Sequence, residues 1–457
     1  MPRSAQFALR RLVGSLTVVC VGVGVAIGSG IFATPGEAAK YLSSPWLILL
    51  VWLVAGIITL MQSLVTAELA TRFPKAGGEY QYLKEAYGDF AAFFFGWSFT
   101  IFIVGGGGGT IAAALGEFAA ELLRMDQTYA APVLGCVTVI AVIAINALGL
   151  RTGAFTQNLL TIIKTIALLA IGIGAWIISG RLTPAPAVDS AAAAAPISIE
   201  VFLMALLPVF WSYTGATDAA KLAEEVRDVR RALPRALVGS TLLLTAVYCL
   251  YNYALLCAVS PDEMAGKRSV PALAFAQVGG LPISDLILAV SILICLGSIS
   301  SMFLANVRVT YALARDGLTF RFLGRMSKRQ APVASLVVGG VIACGFVLCR
   351  SFGEILRIYF MGSAVLFGLT YMSLIVFRLR DRRTGRQFPD GVYKAPVGTL
   401  LAVLLILLEL AIAVSIIHSD LREGTYDSPA TLALLAVMAA LYILWRKVYP
   451  TPSGSET

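Results

Sequence analysis

Two short stretches carry residue types that are wrong for a plain apolar helix and right for holding a small charged molecule. In VCVGVGVAIGSGIFATPG (19–36), Gly28, Ser29 and Gly30 interrupt an apolar run. Glycine inside a helix costs roughly 1 kcal/mol relative to alanine. The triplet therefore marks either very close packing against a neighbour or a place where the helix stops. A second interruption, Tyr213, Thr214, Gly215 and Ala216, lies in PVFWSYTGATDAAKLAEE. An unwound segment frees backbone N–H and C=O groups, which an apolar phase tolerates only around a protein-lined cavity. The N–H groups from Ser29 to Ile31 would present the positive end of a helix dipole to a carboxylate. Carbonyls at the end of the preceding half-helix would accept from an ammonium group. Together they complement a zwitterion, such as the backbone groups of an amino acid.

A third stretch, TQNLLTIIKTIALLAIGIG, places Lys164 well inside an apolar run. An ionisable group at that depth costs several kcal/mol and points to function. The freed carbonyls of the first segment are natural acceptors, so a fixed ammonium could do there what a bound sodium ion does elsewhere; the alternative is a lysine snorkelling to the membrane surface. Ser298, Ser300 and Ser301 in CLGSISSMF could face Lys164 or serve polar helix contacts. Glu68 reads as a gate or a structural ion pair. Asp218 suits either the pathway or the first turn of a half-helix. Glu409 and His418 carry no transport role, and the glycine run 105–109 reads first as helix packing.

The elements that must position these residues follow from composition. Of 457 residues, 58% are hydrophobic and 13% charged, against about 25% charged in soluble domains. An all-α, multi-pass membrane protein is expected. Apolar runs of about 20 residues fall near 12–40, 46–71, 90–115, 131–149, 155–179, 199–227, 232–258, 282–313, 333–349, 354–377, 395–418 and 428–446. These twelve spans make one membrane domain over 1–457, with no cleaved signal peptide expected. The halves 12–179 and 199–377 each hold five spans, and 395–446 adds two more. The breaks fall in the first and sixth spans, corresponding positions of the two halves, which is the best pointer from sequence to a transporter site near the bilayer midplane.

The formal charge of +9 is unevenly spread: with the N-terminus inside, cytoplasmic stretches collect 26 of the 35 Lys and Arg, and RDVRRALPR, RFLGRMSKR and RLRDRRTGR all fall on that face. The positive-inside rule then places both termini in the cytoplasm of a cell-membrane protein. This accounts for the basic balance without a nucleic-acid partner. Seven cysteines within apolar runs suggest no disulfide framework, and a single histidine leaves neither a metal site nor a cofactor in view.

GSGIF in the first span, GGEYQYLKEAYG after the second, Lys164 in TQNLLTIIKT and FWSYTG followed by AEEVRDVRRALPRA together resemble the amino acid–polyamine–organocation superfamily of transporters, and within it the L-type branch and its prokaryotic relatives. The resemblance implies an inverted five-plus-five repeat with discontinuous first and sixth helices. It implies that Gly28, Ser29 and Gly30, with the start of the helix at Ile31, bind a substrate carboxylate. The Ile27 carbonyl and those of Trp211, Ser212 and Thr214 would serve the amino group, Tyr213 and Gly215 would belong to the same substrate site, and Trp211 would close over the substrate as a gate. Lys164, with Ser298 and Ser301 nearby, would stand where sodium-coupled relatives bind sodium, which implies sodium independence. The loop near RMDQTYAA lacks the cysteine that joins eukaryotic L-type members to an accessory glycoprotein, so no covalent partner is implied.

The function expected is sodium-independent transport of amino acids by alternating access, as an exchanger or with proton coupling. Neutral amino acids are favoured because the third span holds no acidic residue between positions 90 and 115; Asp218 keeps cationic amino acids and polyamines open. An intramembrane enzyme would need a catalytic constellation the sequence does not offer. A channel or nutrient receptor derived from a transporter is the remaining alternative.

Overall fold

A computed structural model describes residues 14–75, 77–147, 154–186, 198–327, 331–385, 388–389 and 391–449. Most of the alanine-rich linker between the fifth and sixth spans lies outside the described residues. Among the described residues the regular structure is helical throughout. Helix α1 (Ser15–Ala26) and α2 (Gly30–Ala39) are followed by α3 (Pro45–Arg72) and the short α4 (Glu79–Tyr87). Next come α5 (Asp89–Ser98), α6 (Gly107–Leu122), α7 (Gln127–Ala147), α8 (Ala154–Ser179) and α9 (Ile199–Tyr213). Then follow α10 (Val229–Ala258), α11 (Pro261–Met264), α12 (Val270–Arg315), α13 (Val333–Cys349), α14 (Phe352–Arg383), α15 (Gly398–Glu423) and α16 (Asp427–Val448). Among the described residues ten helices are long and apolar enough to cross a membrane, or eleven with the bent pair α1–α2 as one span; α13, at 17 residues, is a shorter apolar helix.

Both interruptions are real breaks in the backbone. α1 ends at Ala26, Ile27 leaves helical geometry at ψ 94, and α2 resumes at Gly30 with a bend of 45°. α9 ends at Tyr213, Thr214 is extended, and Gly215 takes φ +98 before a 3-10 turn over Asp218–Glu225. The left-handed backbone at Gly215 is one that residues with a Cβ rarely adopt.

Close approach holds the two broken segments together. A Cβ on Gly22 would lie 2.9 Å from the Ala216 carbonyl oxygen, and one on Gly30 would lie 2.7 Å from the Ser212 Cα. Small residues are what allow membrane helices to approach this closely. α1 packs against α8 and α10, while α2 packs against α9. The residues behind these contacts, from Val18 to Ile416, belong to one large apolar cluster that runs through the bundle.

The third span departs from the sequence expectation of a single α-helix. α5 and α6 are joined by a π-helical stretch, Phe99–Gly106, which enters the glycine run. Wide π turns are rare and often mark functional sites. The run itself divides its labour. Cβ atoms on Gly105, Gly108 and Gly109 would press on Ile342, Phe303 and Phe346, so these three serve packing. Gly107 instead lines a cavity.

Candidate functional site

A cavity of about 1080 Å³, its mouth included, opens between the two broken segments. Gly28, Ser29 and Gly30 line it from the first break, and Trp211, Tyr213, Thr214 and Gly215 from the second. Ile27, Ile31 and Ser212 are buried one layer behind. Ser212 fastens the two halves there: its hydroxyl shares a 2.8 Å hydrogen bond with Thr34, and its carbonyl accepts from the Tyr248 hydroxyl at 3.0 Å. Because α2 starts at Gly30, the N–H groups of Gly30 and Ile31 have no helical carbonyl to donate to, whereas those of Phe32 and Ala33 donate to the Ser29 carbonyl at 3.2 and 3.0 Å. The Ser29 hydroxyl is buried in the cavity wall without a hydrogen-bond partner among the described residues. The break thus offers donors and a hydroxyl to whatever fills the cavity.

One wall is aromatic. Trp211 meets Tyr359 edge to face with ring centroids 4.9 Å apart, and Phe210 stacks on Phe360 at 5.8 Å. A Cβ at Gly107 would come within 3.6 Å of Met302, Tyr359 and Trp211, so its absence leaves room for these side chains. Tyr359 and Phe360 escaped the sequence reading because aromatics in an apolar span look like core.

The opposite wall is polar, and most of it was not foreseen. Lys221 Nζ donates to Asp218 Oδ1 at 2.8 Å and to Asn306 Oδ1 at 2.6 Å, and lies 5.1 Å from the centre of the Phe99 ring. Glu79, at the start of α4, joins this wall with Oε2 buried and without a partner. Burial pushes its carboxyl above the usual carboxylate range, against the opposing pull of the Lys221 ammonium; the Asp218 charge adds to the rise. Gly78 takes φ +52, which turns the chain so that Glu79 enters the cavity, and a Cβ there would lie 2.9 Å from Lys221 Cγ. The glycine pair before Glu79 was the available signal.

Lys164 sits behind the first break and is buried. Its ammonium donates to Ser298 Oγ at 2.9 Å and lies 3.5 Å from the Gly24 carbonyl oxygen. Ser298 in turn donates to the Ile27 carbonyl at 2.6 Å. Thr161, one turn before Lys164, donates to the Cys20 carbonyl at 2.9 Å. Ser301 does not join this group; its hydroxyl donates to the Gly297 carbonyl of its own helix. Ser300 pairs with Asn146 instead.

Glu68 is fully buried away from the cavity, beside Arg378. Arg378 donates to its two oxygens at 2.9 and 2.5 Å, and the Ala395 N–H adds a third bond at 2.7 Å. The carboxylate thereby ties α3 to α14 and to the segment leading into α15. His418 and Glu200 pair at 2.8 Å on the periphery, while Glu409 is buried with Oε2 unpartnered. Among the described residues no group of His, Cys, Asp and Glu has the arrangement of a metal site.

Similarity to known proteins agrees with this architecture. A family model described as "Amino acid permease" matches residues 13–440. The chain is 26% identical to the human b(0,+)-type amino acid transporter 1 over 408 residues, which is 88% of this chain and 82% of that protein. It is 34% identical to the serine/threonine exchanger SteT of Bacillus subtilis (strain 168) over 315 residues, 67% of this chain and 68% of the relative. An uncharacterized transporter of Mycobacterium tuberculosis, Rv1999c, is 29% identical over 398 residues, 85% of each chain. With that match extending over nearly its whole length, the chain belongs to the amino acid permease family and is a transmembrane transporter of the amino acid–polyamine–organocation superfamily.

Proposed function

We propose that this protein exchanges neutral amino acids across the cell membrane by alternating access, without sodium. The backbone groups of the amino acid sit between the two breaks: the carboxylate at Gly28, Ser29 and Gly30, the ammonium against carbonyls of the segment from Trp211 to Thr214. The two relatives named for amino acid transport and for serine/threonine exchange support amino acid exchange as the activity.

The observation that carries the proposal is the position of Lys164. Its ammonium reaches the first break through Ser298 and the Ile27 carbonyl, so a fixed positive charge occupies the place where the freed carbonyls would otherwise call for a cation. A neutral substrate follows from Asp218. Its carboxylate is already engaged by Lys221 at 2.8 Å, which weakens its claim on a cationic side chain. Trp211 and Tyr359 form the wall that would move to admit substrate.

The wider frame belongs to the same proposal. Twelve membrane passes arise if α13 crosses the bilayer along with the eleven longer spans. The segments 12–179 and 199–377 are then inverted repeats, the last two helices lie outside them, and both termini are cytoplasmic. The pair Glu68–Arg378 sits at the basic, cytoplasmic end as a latch between α3 and α14. No covalent accessory subunit is proposed, since the loop between α6 and α7 contains no cysteine.

The test is counterflow in proteoliposomes loaded with a neutral amino acid. Labelled amino acid should accumulate transiently, equally well in sodium and in choline buffers. Accumulation that requires sodium would overturn the role given to Lys164. A flux that does not saturate would favour a channel.

A further inference from the structure

The polar wall of the cavity contains more chemistry than the backbone of an amino acid needs. Lys221 is 6% exposed and Glu79 5% exposed, although each carries an ionisable group. Lysine has three N–H donors, and Asp218 and Asn306 take two. Glu79 Oε2 faces the same space as an acceptor without a donor. A buried acceptor left unpaired is costly, so this wall calls for a partner that the described residues do not supply.

We propose that Lys221, Glu79, Asp218 and Asn306 form a side-chain subsite that selects amino acids ending in a hydroxyl or a carboxamide. The inference rests on the reading that an amino acid occupies this cavity, and it names which class. A cationic side chain would face the Lys221 ammonium. An anionic one would face Asp218 and Glu79. An apolar one would leave Glu79 Oε2 unpaired and cover the remaining Lys221 donor. A neutral group that both donates and accepts meets both needs: it donates to Glu79 and accepts from Lys221. A site made to hydrogen-bond one group rejects analogues that lack it far better than an apolar pocket discriminates by size. The motif around Gly77 and Gly78 acquires a purpose on this view, because the left-handed turn at Gly78 brings Glu79 into the wall and leaves room for the Lys221 stem.

The experiment compares near-isosteric pairs as competitors of counterflow in proteoliposomes of the full-length protein: threonine against valine, and glutamine against methionine. Wild type should prefer the polar member of each pair by about tenfold, the worth of one hydrogen bond to a charged group. In Lys221→Met, where Glu79 alone is left to accept from the polar group, that preference should shrink to about threefold; the ratio is taken within one preparation, so a change in overall rate does not affect it. Asp218→Asn combined with Lys221→Met removes the carboxylate that the single change strands, and should show the same loss of preference. Wild type that takes valine and methionine as readily as their polar partners overturns the subsite while leaving transport intact. A preference that survives undiminished in both variants overturns it as well. Absence of counterflow with every amino acid overturns the transport reading, and the subsite with it.

Discussion

Ser298 Oγ accepts a 2.9 Å hydrogen bond from Lys164 Nζ and hands one on, at 2.6 Å, to the carbonyl of Ile27. One hydroxyl on α12 thus joins a buried charge on α8 to the residue at which α1 leaves helical geometry. Gly297, beside it, makes the room: a Cβ there would lie 3.1 Å from both Cε and Nζ of Lys164. The break is held by a chain of bonds as well as by its own glycines.

Removing the charge should disable transport rather than merely weaken binding. Lys164→Met is expected to lower exchange in proteoliposomes by about tenfold or more, on the scale of a lost hydrogen bond to a charged group. An unchanged rate would take Lys164 out of the mechanism. Ser298→Ala leaves the Ile27 carbonyl without its partner, at a cost of about 1–3 kcal/mol, and thermal unfolding of the purified protein should register it.

The glycines of the two breaks should not tolerate alanine. In Gly30→Ala the new Cβ would meet the Ser212 Cα at 2.7 Å, a contact that backbone must move to relieve. Gly215→Ala combines a 2.5 Å approach to Val25 with φ +98. Each substitution should destabilise by about 1–3 kcal/mol, read as a lower melting temperature. Gly345→Ala, inside α13 where nothing lies within 4 Å, is the control that should melt no lower than wild type.

Glu68 and Arg378 should show strong coupling. Substituting Glu68 with leucine strands a guanidinium in a largely buried setting, and breaking such a pair costs about 3–5 kcal/mol. Replacing Arg378 with methionine in the same chain should restore much of the loss. A double variant as unstable as the sum of the two singles would show that the pair is not coupled.

A pH dependence follows from Glu79. Burial raises its carboxyl pKa above the usual value of 4.5, so folding favours the protonated form. The stability tied to that proton is present below the unfolded-state value and is lost as pH rises through the folded-state value. Glu79→Gln keeps the neutral shape at every pH. Its melting temperature should therefore gain on wild type as pH is raised from about 4.5 and then level off. A difference that shrinks as pH rises would place the charged form as the favoured one.

Much of this site was legible in the sequence because its signals are local. Gly28, Ser29 and Gly30 are poor helix formers in an apolar run, and Lys164 is a charge where charge is expensive. Both reveal themselves without knowledge of any neighbour. The grouping around Lys221 was not legible, since Asp218 and Lys221 read as the ordinary polar half of a helix until Glu79 and Asn306 arrive from α4 and α12. The same holds for Glu68, whose partner Arg378 lies 310 residues away. The π-helical stretch in the third span left no mark beyond the glycine run in which it ends.

From the sequence alone it follows that the chain crosses a membrane repeatedly, that its helices break near Gly28 and Thr214, and that a lysine lies inside an apolar run. These properties depend on backbone preference and on the cost of placing polar groups in an apolar phase, both of which act over a few residues. Tertiary structure alone decided that Ser298 and not Ser301 meets Lys164, that Gly107 faces the cavity while Gly105, Gly108 and Gly109 pack, and that Glu79 stands beside Lys221. Those outcomes turn on which faces of distant helices come together. Helix contacts in an apolar medium depend on the fit of whole surfaces, and no short stretch of residues encodes its partner's rotation.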